Sequence, residues 1–248
     1  MLGPLAGILL TQAFGIEAVY ALLAVLAALA AVWVIVSLPA IAPLPKRRTT
    51  LADLVRQTTE RGFLIPTLVL ATSTGVLGVA VGFLPLLATR LGLPAVVGAI
   101  AVGILALAST LLQPVVGRLR DHGRISTRVG SAAGLAVAAL GLGLLAVAPN
   151  TVSLFTAALA FGVMTGTVTP LALAHLADST PEQHLGRTMG NAELGRELGD
   201  AGGSLLVGAV ATAWALPVAL GILAGATLAS AAVGWGALRP APAEKGSA

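Results

Sequence analysis

Residues 63–88 read FLIPTLVLATSTGVLGVAVGFLPLLA, a stretch of 26 residues that contains no charged side chain. As an α-helix it would be about 39 Å long, whereas the hydrocarbon core of a bilayer is about 30 Å thick. The stretch is apolar on all sides and lacks the alternation of apolar and polar residues that marks a membrane β-strand. It therefore predicts a membrane-spanning helix.

The rest of the chain repeats this pattern. Hydrophobic residues make up 57% of the 248 residues, charged residues only 10%, and the mean hydropathy is +0.97. Soluble domains contain about 25% charged residues, so we predict an all-α, polytopic membrane protein. The further predicted spans are residues 18–38, 94–116, 129–148, 152–177 and 216–238, with one that starts between 190 and 201 and ends near 213. The opening residues 1–12 would form an eighth, incomplete helix.

Charged loops alternate with bare loops along the chain. The loop at residues 39–62 is strongly basic, as is the loop at residues 117–128, and the tail after residue 238 is basic too. Thirteen of the fourteen Lys and Arg residues fall on one side, and Arg90 is the exception. The positive-inside rule makes that side cytoplasmic. We therefore expect a multi-pass protein of the cell's inner (plasma) membrane with a cytoplasmic C-terminus.

The chemistry of many other protein classes is missing from the sequence. The chain has no cysteine, and its three histidines are too far apart for a metal-ligand pattern. It contains no phosphate-binding P-loop, no Gly-x-Ser-x-Gly nucleophile turn and no His-Glu-x-x-His zinc motif. The basic residues lie between apolar runs, which indicates orientation in a membrane rather than nucleic-acid binding. We expect no enzyme activity, no cofactor and no metal.

The two ends of the chain resemble each other. Residues 3–10 (GPLAGILL) align with residues 199–206 (GDAGGSLL), and each segment precedes one further apolar helix that has a late Trp. The offset of 196 residues equals about six helices and fits two six-helix halves. On this interpretation the opening stretch is the end of helix five, and helices one to four are missing from the chain.

These features together resemble the major facilitator superfamily, in particular its drug/proton antiporters. Residues 3–7 (GPLAG) are similar to the G-P-x-x-G motif of helix five, which implies roles for Gly3, Pro4 and Gly7. Residues 117–124 (GRLRDHGR) resemble the motif between helices eight and nine. This second likeness implies a cytoplasmic gating motif. Its members would be Gly117, Arg118, Asp121, Gly123 and Arg124.

The resemblance implies a division of the chain and a function. Residues 1–38 would be the last two helices of the N-terminal bundle, and 39–62 a cytoplasmic linker. Residues 63–238 would be the complete C-terminal six-helix bundle, and 239–248 a cytoplasmic tail. The implied function is secondary active transport, with proton-coupled efflux of small molecules by alternating access. The expected partners are the lipid bilayer, a small-molecule substrate, protons and the missing N-terminal helices.

One predicted span begins with an unusual run of charges. Glu193, Glu197 and Asp200 fall within about 60° of one another on a helix, with Arg196 beside them. Charges within a span are costly and mark functional candidates, and neighbouring acids raise one another's pKa. We interpret these four residues as candidates for transport or proton coupling. The competing interpretation places Glu193 and Glu197 among the lipid headgroups, without a role in transport.

Polar residues inside other spans are candidates to line a cavity. They are Thr72, Ser73, Thr74 and Gln113. Hydroxyl groups in such helices usually bond to the carbonyl one turn back, which is the competing interpretation for the first three.

Two other functions are compatible with the composition. The chain could be an eight-segment membrane scaffold or partner subunit, or an inactive truncated transporter. A membrane enzyme would need His or acidic residues at matched depth on several helices, and the sequence shows one acidic cluster on one helix.

Overall fold

A computed structural model describes residues 3–37 and 61–238, without the side chains of residues 3–9, 12–13 and 61. The described ranges form seven α-helices and no strand. They confirm the predicted all-α class. The helices are α1 (Gly3–Ser37), α2 (Arg61–Arg90), α3 (Ala95–Asp121), α4 (Thr127–Val147), α5 (Thr151–Asp178), α6 (Glu182–Ala213) and α7 (Leu216–Ala237). The predicted linker and tail lie almost wholly outside the described residues.

Helix α1 forms a unit of its own and is broken at one residue. Gly15 has φ 81° and ψ 164°, so the helix is interrupted there and resumes. Glycine reaches positive φ without the steric cost that a Cβ atom imposes. The opening stretch thus forms the first part of α1, and the second part, Phe14–Ser37, is long and apolar enough to span a membrane.

Helices α2 to α7 form the second unit, a bundle with a continuous apolar core. Five of them are long and apolar enough to cross a membrane: Gly62–Arg90, Ala95–Asp121, Thr127–Val147, Thr151–Asp178 and Leu216–Ala237. Helix α6 is the exception, because its last 18 residues contain Arg196, Glu197 and Asp200. The largest fully buried side chains of the core include Phe161, Leu70 and Leu142.

The helices of the bundle pair in a regular way. The main partner of α2 is α6, and the main partner of α3 is α5, while α4 packs along both α5 and α7. The first helix of each triplet, α2–α4 or α5–α7, therefore packs on the second helix of the other. This exchange is the arrangement expected of two related three-helix repeats within one bundle.

Short turns with specific caps connect these helices. Asn150 begins α5 with a capping box, because its side chain accepts from the Ser153 N–H at 3.0 Å and its own N–H donates to Ser153 Oγ at 2.8 Å. Gly123, with φ 67°, follows the end of α3. Its N–H donates to the Arg120 carbonyl, and the N–H of Arg124 donates to the Leu119 carbonyl, as in a Schellman cap.

Candidate functional site

A stripe of glycines brings α6 against α2 with backbone touching backbone. A Cβ atom on Gly203 would lie 2.5 Å from the carbonyl oxygen of Gly75, and one on Gly199 would overlap the carbonyl oxygen of Ala71. A side chain at Gly199 or Gly203 is therefore excluded by the backbone of α2. Gly195, Gly199 and Gly203 recur every four residues, a spacing that predicts the close approach of another helix. The structure shows that α2 is that helix.

A hydrogen bond ties the two helices together at the same crossing. Thr74, on α2, is buried, and its hydroxyl donates to the carbonyl oxygen of Arg196 at 2.7 Å. That hydroxyl also lies within hydrogen-bonding distance of the carbonyls of Leu70 and Ala71. Thr74 thus fixes the relative height of α2 and α6 at the start of the charged run.

The charged side chains of α6 lie beside this crossing and divide into two groups. Arg196 binds both neighbouring glutamates, since its Nε lies 2.9 Å from Glu193 Oε2 and its Nη2 lies 2.8 Å from Glu197 Oε1. All three side chains reach the surface of the bundle. One guanidinium therefore pairs with both glutamates and offsets one of their two negative charges.

Glu193 stays ionised more readily than an isolated glutamate. It lies outside the six segments that could span a membrane, and its hydrogen bonds to Arg196 lower the pKa of its carboxyl. From the sequence, neighbouring acids were predicted to raise one another's pKa. This prediction is wrong for Glu193, because its nearest charge is the arginine and not the second acid.

Asp200 lies one turn further along α6 and has different surroundings. A Cβ atom on Gly78 would overlap Oδ1 of Asp200 and would lie 2.9 Å from both the Asp200 carbonyl oxygen and Ser204 Oγ. The carboxylate thus occupies the space that a side chain at Gly78 would fill. Asp200 is exposed, and within the described part of the chain it forms no ion pair.

The four predicted cavity residues are distributed over several interfaces. The Thr72 hydroxyl donates to the carbonyl of Leu68 at 2.8 Å, and its oxygen lies 3.0 Å from the hydroxyl of Ser230, which links α2 to α7. Ser73 is 1% exposed, and its hydroxyl has no hydrogen-bond partner among the described residues. Gln113 is half-buried on α3, beside Pro114. Thr74 is the member of this group that hydrogen-bonds to the charged part of α6 in the described structure.

The predicted gating motif lies at the end of α3 and in the turn that follows. Gly117 and Arg118 belong to the last turns of α3, and Asp121 is its final residue. Asp121 and Arg124 are exposed, and neither takes part in an ion pair within the described ranges. Gly123 forms the helix cap and has a positive φ, so the cap by itself explains why this position is a glycine.

An ion pair that the sequence argument did not name connects two helix ends near this motif. Arg120, at the end of α3, forms a salt bridge with Asp178, at the end of α5. Both residues follow apolar runs that end on the same predicted side of the membrane, which is a signal the sequence contains. The sequence offers several arginines for Asp178, however, and only the fold selects Arg120.

The helix-five motif lies at the start of α1. Gly3, Pro4 and Gly7 all fall within the first part of that helix. Their side-chain surroundings lie outside the described residues.

The bundle contains a cavity of about 120 Å³ at the start of α2 and the turn between α5 and α6. Its lining includes Phe63, Leu176 and Thr188, and none of the predicted site residues.

Comparison with known proteins identifies the family to which this bundle belongs. A sequence model of the Major Facilitator Superfamily matches residues 1–199 and, in a second overlapping match, residues 123–248. Together the two matches cover the whole chain. No curated protein matches the sequence. The chain therefore belongs to the major facilitator superfamily, whose members are membrane transporters.

Proposed function

We propose that the protein exports small molecules in exchange for protons, with Asp200 as the residue that carries the proton. The observation that supports this proposal is the position of the Asp200 carboxylate. It lies against the glycine face of α2, and Arg196 interacts with it electrostatically without forming a salt bridge to it among the described residues. An unpaired acid within a bundle of spanning helices is a default candidate for proton transfer.

The neighbouring charges receive different roles in this proposal. Arg196 pairs with both Glu193 and Glu197. The lowered pKa of Glu193 keeps its carboxyl ionised, whereas an acid that carries a proton has to become protonated. The three residues therefore act as a charged rim that keeps the start of α6 in contact with water. Asp200, one turn further into the apolar part of α6, takes up and releases the proton.

The end of α3 has the role of a conformational latch. Salt bridge Arg120–Asp178 joins α3 to α5, and the exposed Asp121 is available to a partner outside the bundle. In alternating access one bundle rocks against another, so an unpaired acid at a bundle's end is suited to bind the opposing bundle in one state only. Arg118 and Arg124, exposed in the same segment, add positive charge for the same contact.

We further propose that the parts of α1 before and after Gly15 correspond to helices five and six of a twelve-helix transporter, and α2–α7 to helices seven to twelve. The likeness of residues 3–10 to 199–206 and the two overlapping family matches support this correspondence. Under this correspondence, the bundles lie in the inner membrane, and residues 1–38 complete the first bundle. Residues 39–62 form a cytoplasmic linker, and residues 239–248 form a cytoplasmic tail. The intact mass of the product in native membranes tests it. A product of 248 residues would instead favour a scaffold or partner subunit.

The transport proposal is tested with the product found in native membranes. It is expressed in a bacterial strain that lacks its main exporters and is assayed in everted vesicles with a panel of fluorescent lipophilic cations, starting with ethidium. We expect proton-driven, uphill export of at least one compound. Asp200→Asn should lower uphill export at least tenfold and leave downhill equilibration intact, because the variant binds substrate and cannot carry a proton.

The matched control is Glu182→Gln, which removes one exposed acid from the first turn of the same helix. It should export like the wild type. Uphill export by Asp200→Asn at the wild-type rate would refute the role of Asp200. Absence of any proton-dependent movement across the whole panel would refute proton-coupled export itself.

A further inference from the structure

The facing ends of α4 and α7 hold an arginine and a tryptophan in contact. Arg128 is the second residue of α4, and Trp235 lies two residues before the end of α7. The two helices pack along each other, and each is a candidate membrane span. The pair therefore lies at one membrane–water interface, the depth at which tryptophan side chains are enriched in membrane proteins.

The contact between the two side chains is a cation–π interaction. Arg128 Cζ lies 4.4 Å from the centroid of the Trp235 ring, well within the range in which a guanidinium is attracted to an aromatic face. The Nε atom of Arg128 is buried and has no hydrogen-bond acceptor among the described residues. The indole ring thus holds the guanidinium in a fixed orientation.

The outer edge of this guanidinium is unoccupied by the described protein. None of the three ion pairs in the described ranges involves Arg128. Its terminal nitrogens form a planar fork of donors, which matches two oxygens of a phosphate group. Arg124 lies in the turn before α4, and its side chain is exposed, so the same segment also contains an arginine outside this contact.

The surface around the pair is apolar and exposed. Trp235 is 48% exposed, and Val129, which follows Arg128 in α4, is 47% exposed. An acyl chain packed against these side chains would bring its own headgroup to the level of Arg128. We propose that Arg128 and Trp235 form a binding site for an anionic phospholipid, with Arg128 on the phosphate and the ring under the glycerol and upper acyl chain. This inference rests on the spanning helices alone and is independent of transport.

Tryptophan fluorescence tests the proposal directly. The chain has three tryptophans, so Trp33→Phe combined with Trp214→Phe leaves Trp235 as the sole reporter. The protein is reconstituted in phosphatidylcholine mixed with phosphatidylglycerol brominated near the top of one acyl chain, and then with the bromine on phosphatidylcholine. The ratio of the two quenching curves gives the lipid preference at Trp235. We expect about a fivefold preference for phosphatidylglycerol, the effect of one cation near an anionic headgroup.

Three variants separate a specific site from general surface charge. Arg128→Gln should abolish the preference, and Arg128→Lys should retain part of it because the charge remains without the planar fork. Arg124→Gln removes the same charge from an exposed residue of the same segment and should keep most of the preference. Equal quenching by both lipids in the parent protein would overturn the proposal, as would an equal loss in Arg124→Gln and Arg128→Gln. Reversal by inorganic phosphate at constant ionic strength would assign the site to a free anion instead.

Discussion

Two adjacent glycines of α6 offer a direct test of the backbone contact between α2 and α6. A Cβ atom on Gly203 would lie 2.5, 2.7 and 2.8 Å from the O, Cα and C atoms of Gly75, whereas a Cβ atom on Gly202 would meet nothing within 4 Å. The atoms that Gly203→Ala would strike belong to backbone, so they cannot rotate away. The helices would have to separate locally by about 1 Å to restore ordinary van der Waals contact.

Gly202→Ala and Gly203→Ala change the same helix in the same way, but only Gly203→Ala brings a side chain against the backbone of Gly75. Each replaces glycine by alanine in a helix interior, which favours the helix by about 1 kcal/mol. Overpacking of a closely packed contact costs about 1–3 kcal/mol. The free energy of unfolding of Gly203→Ala should therefore be about 1–3 kcal/mol lower than that of Gly202→Ala, and Gly202→Ala should equal or exceed the wild type.

The measurement is unfolding of the purified protein in mixed micelles of dodecyl maltoside and increasing sodium dodecyl sulfate, followed by circular dichroism. Gly75→Ala serves as an intermediate case, because its Cβ atom would lie 2.9 Å from the carbonyl oxygen of Gly199 and 3.6 Å from the next two atoms. Coincident unfolding curves for Gly202→Ala and Gly203→Ala would refute the backbone contact. So would a greater loss in Gly75→Ala than in Gly203→Ala.

The same unfolding assay checks three further predictions. Gly123→Ala should cost about 1 kcal/mol because φ is 67° there, whereas Gly117→Ala, within a helix and with open space around it, should not destabilise; similar losses would contradict a conformational role for Gly123. Asn150→Ala removes the capping box of α5 and should cost about 1 kcal/mol; no change would show that the cap adds nothing. Glu193 has a lowered pKa, so its contribution to stability is present above its unfolded pKa and is lost as pH falls below it. Glu193→Gln should accordingly lose less stability than the wild type between pH 5 and pH 3, and parallel pH profiles would contradict the pairing with Arg196.

Hydropathy was sufficient to predict the positions of the helices. Apolar runs longer than about 20 residues leave few alternatives to spanning helices, and each predicted run falls within a helix of the described ranges to within one residue. Six segments are long and apolar enough to span a membrane, and the predicted span in α6 is not among them. The start of α6 was the least certain boundary, because its first half is polar. The structure extends it back to Glu182, well before the predicted range of 190–201.

The details of the candidate site depended on information that spacing alone does not carry. The glycine stripe on α6 predicted a close partner, and its period did not say which helix that partner was. The helical wheel placed Arg196 beside the acids and could not show that it binds both glutamates and leaves Asp200 unpaired. Side-chain rotamers decide which carboxylates Arg196 binds, and the spacing of residues in the sequence does not predict rotamers.

The crossing of α2 and α6 has a mechanical consequence. Packed helices in other proteins shift past each other by small changes of side-chain rotamers at their contact. Between Gly75 and Gly203 there are no side chains to readjust, and the bond from Thr74 to the Arg196 carbonyl fixes the register. We therefore expect α2 and α6 to move together as one rigid body. Under the proposed function, the motion that exposes Asp200 to alternate sides would therefore take place at other helix contacts, and Gly78 would move with the Asp200 carboxylate.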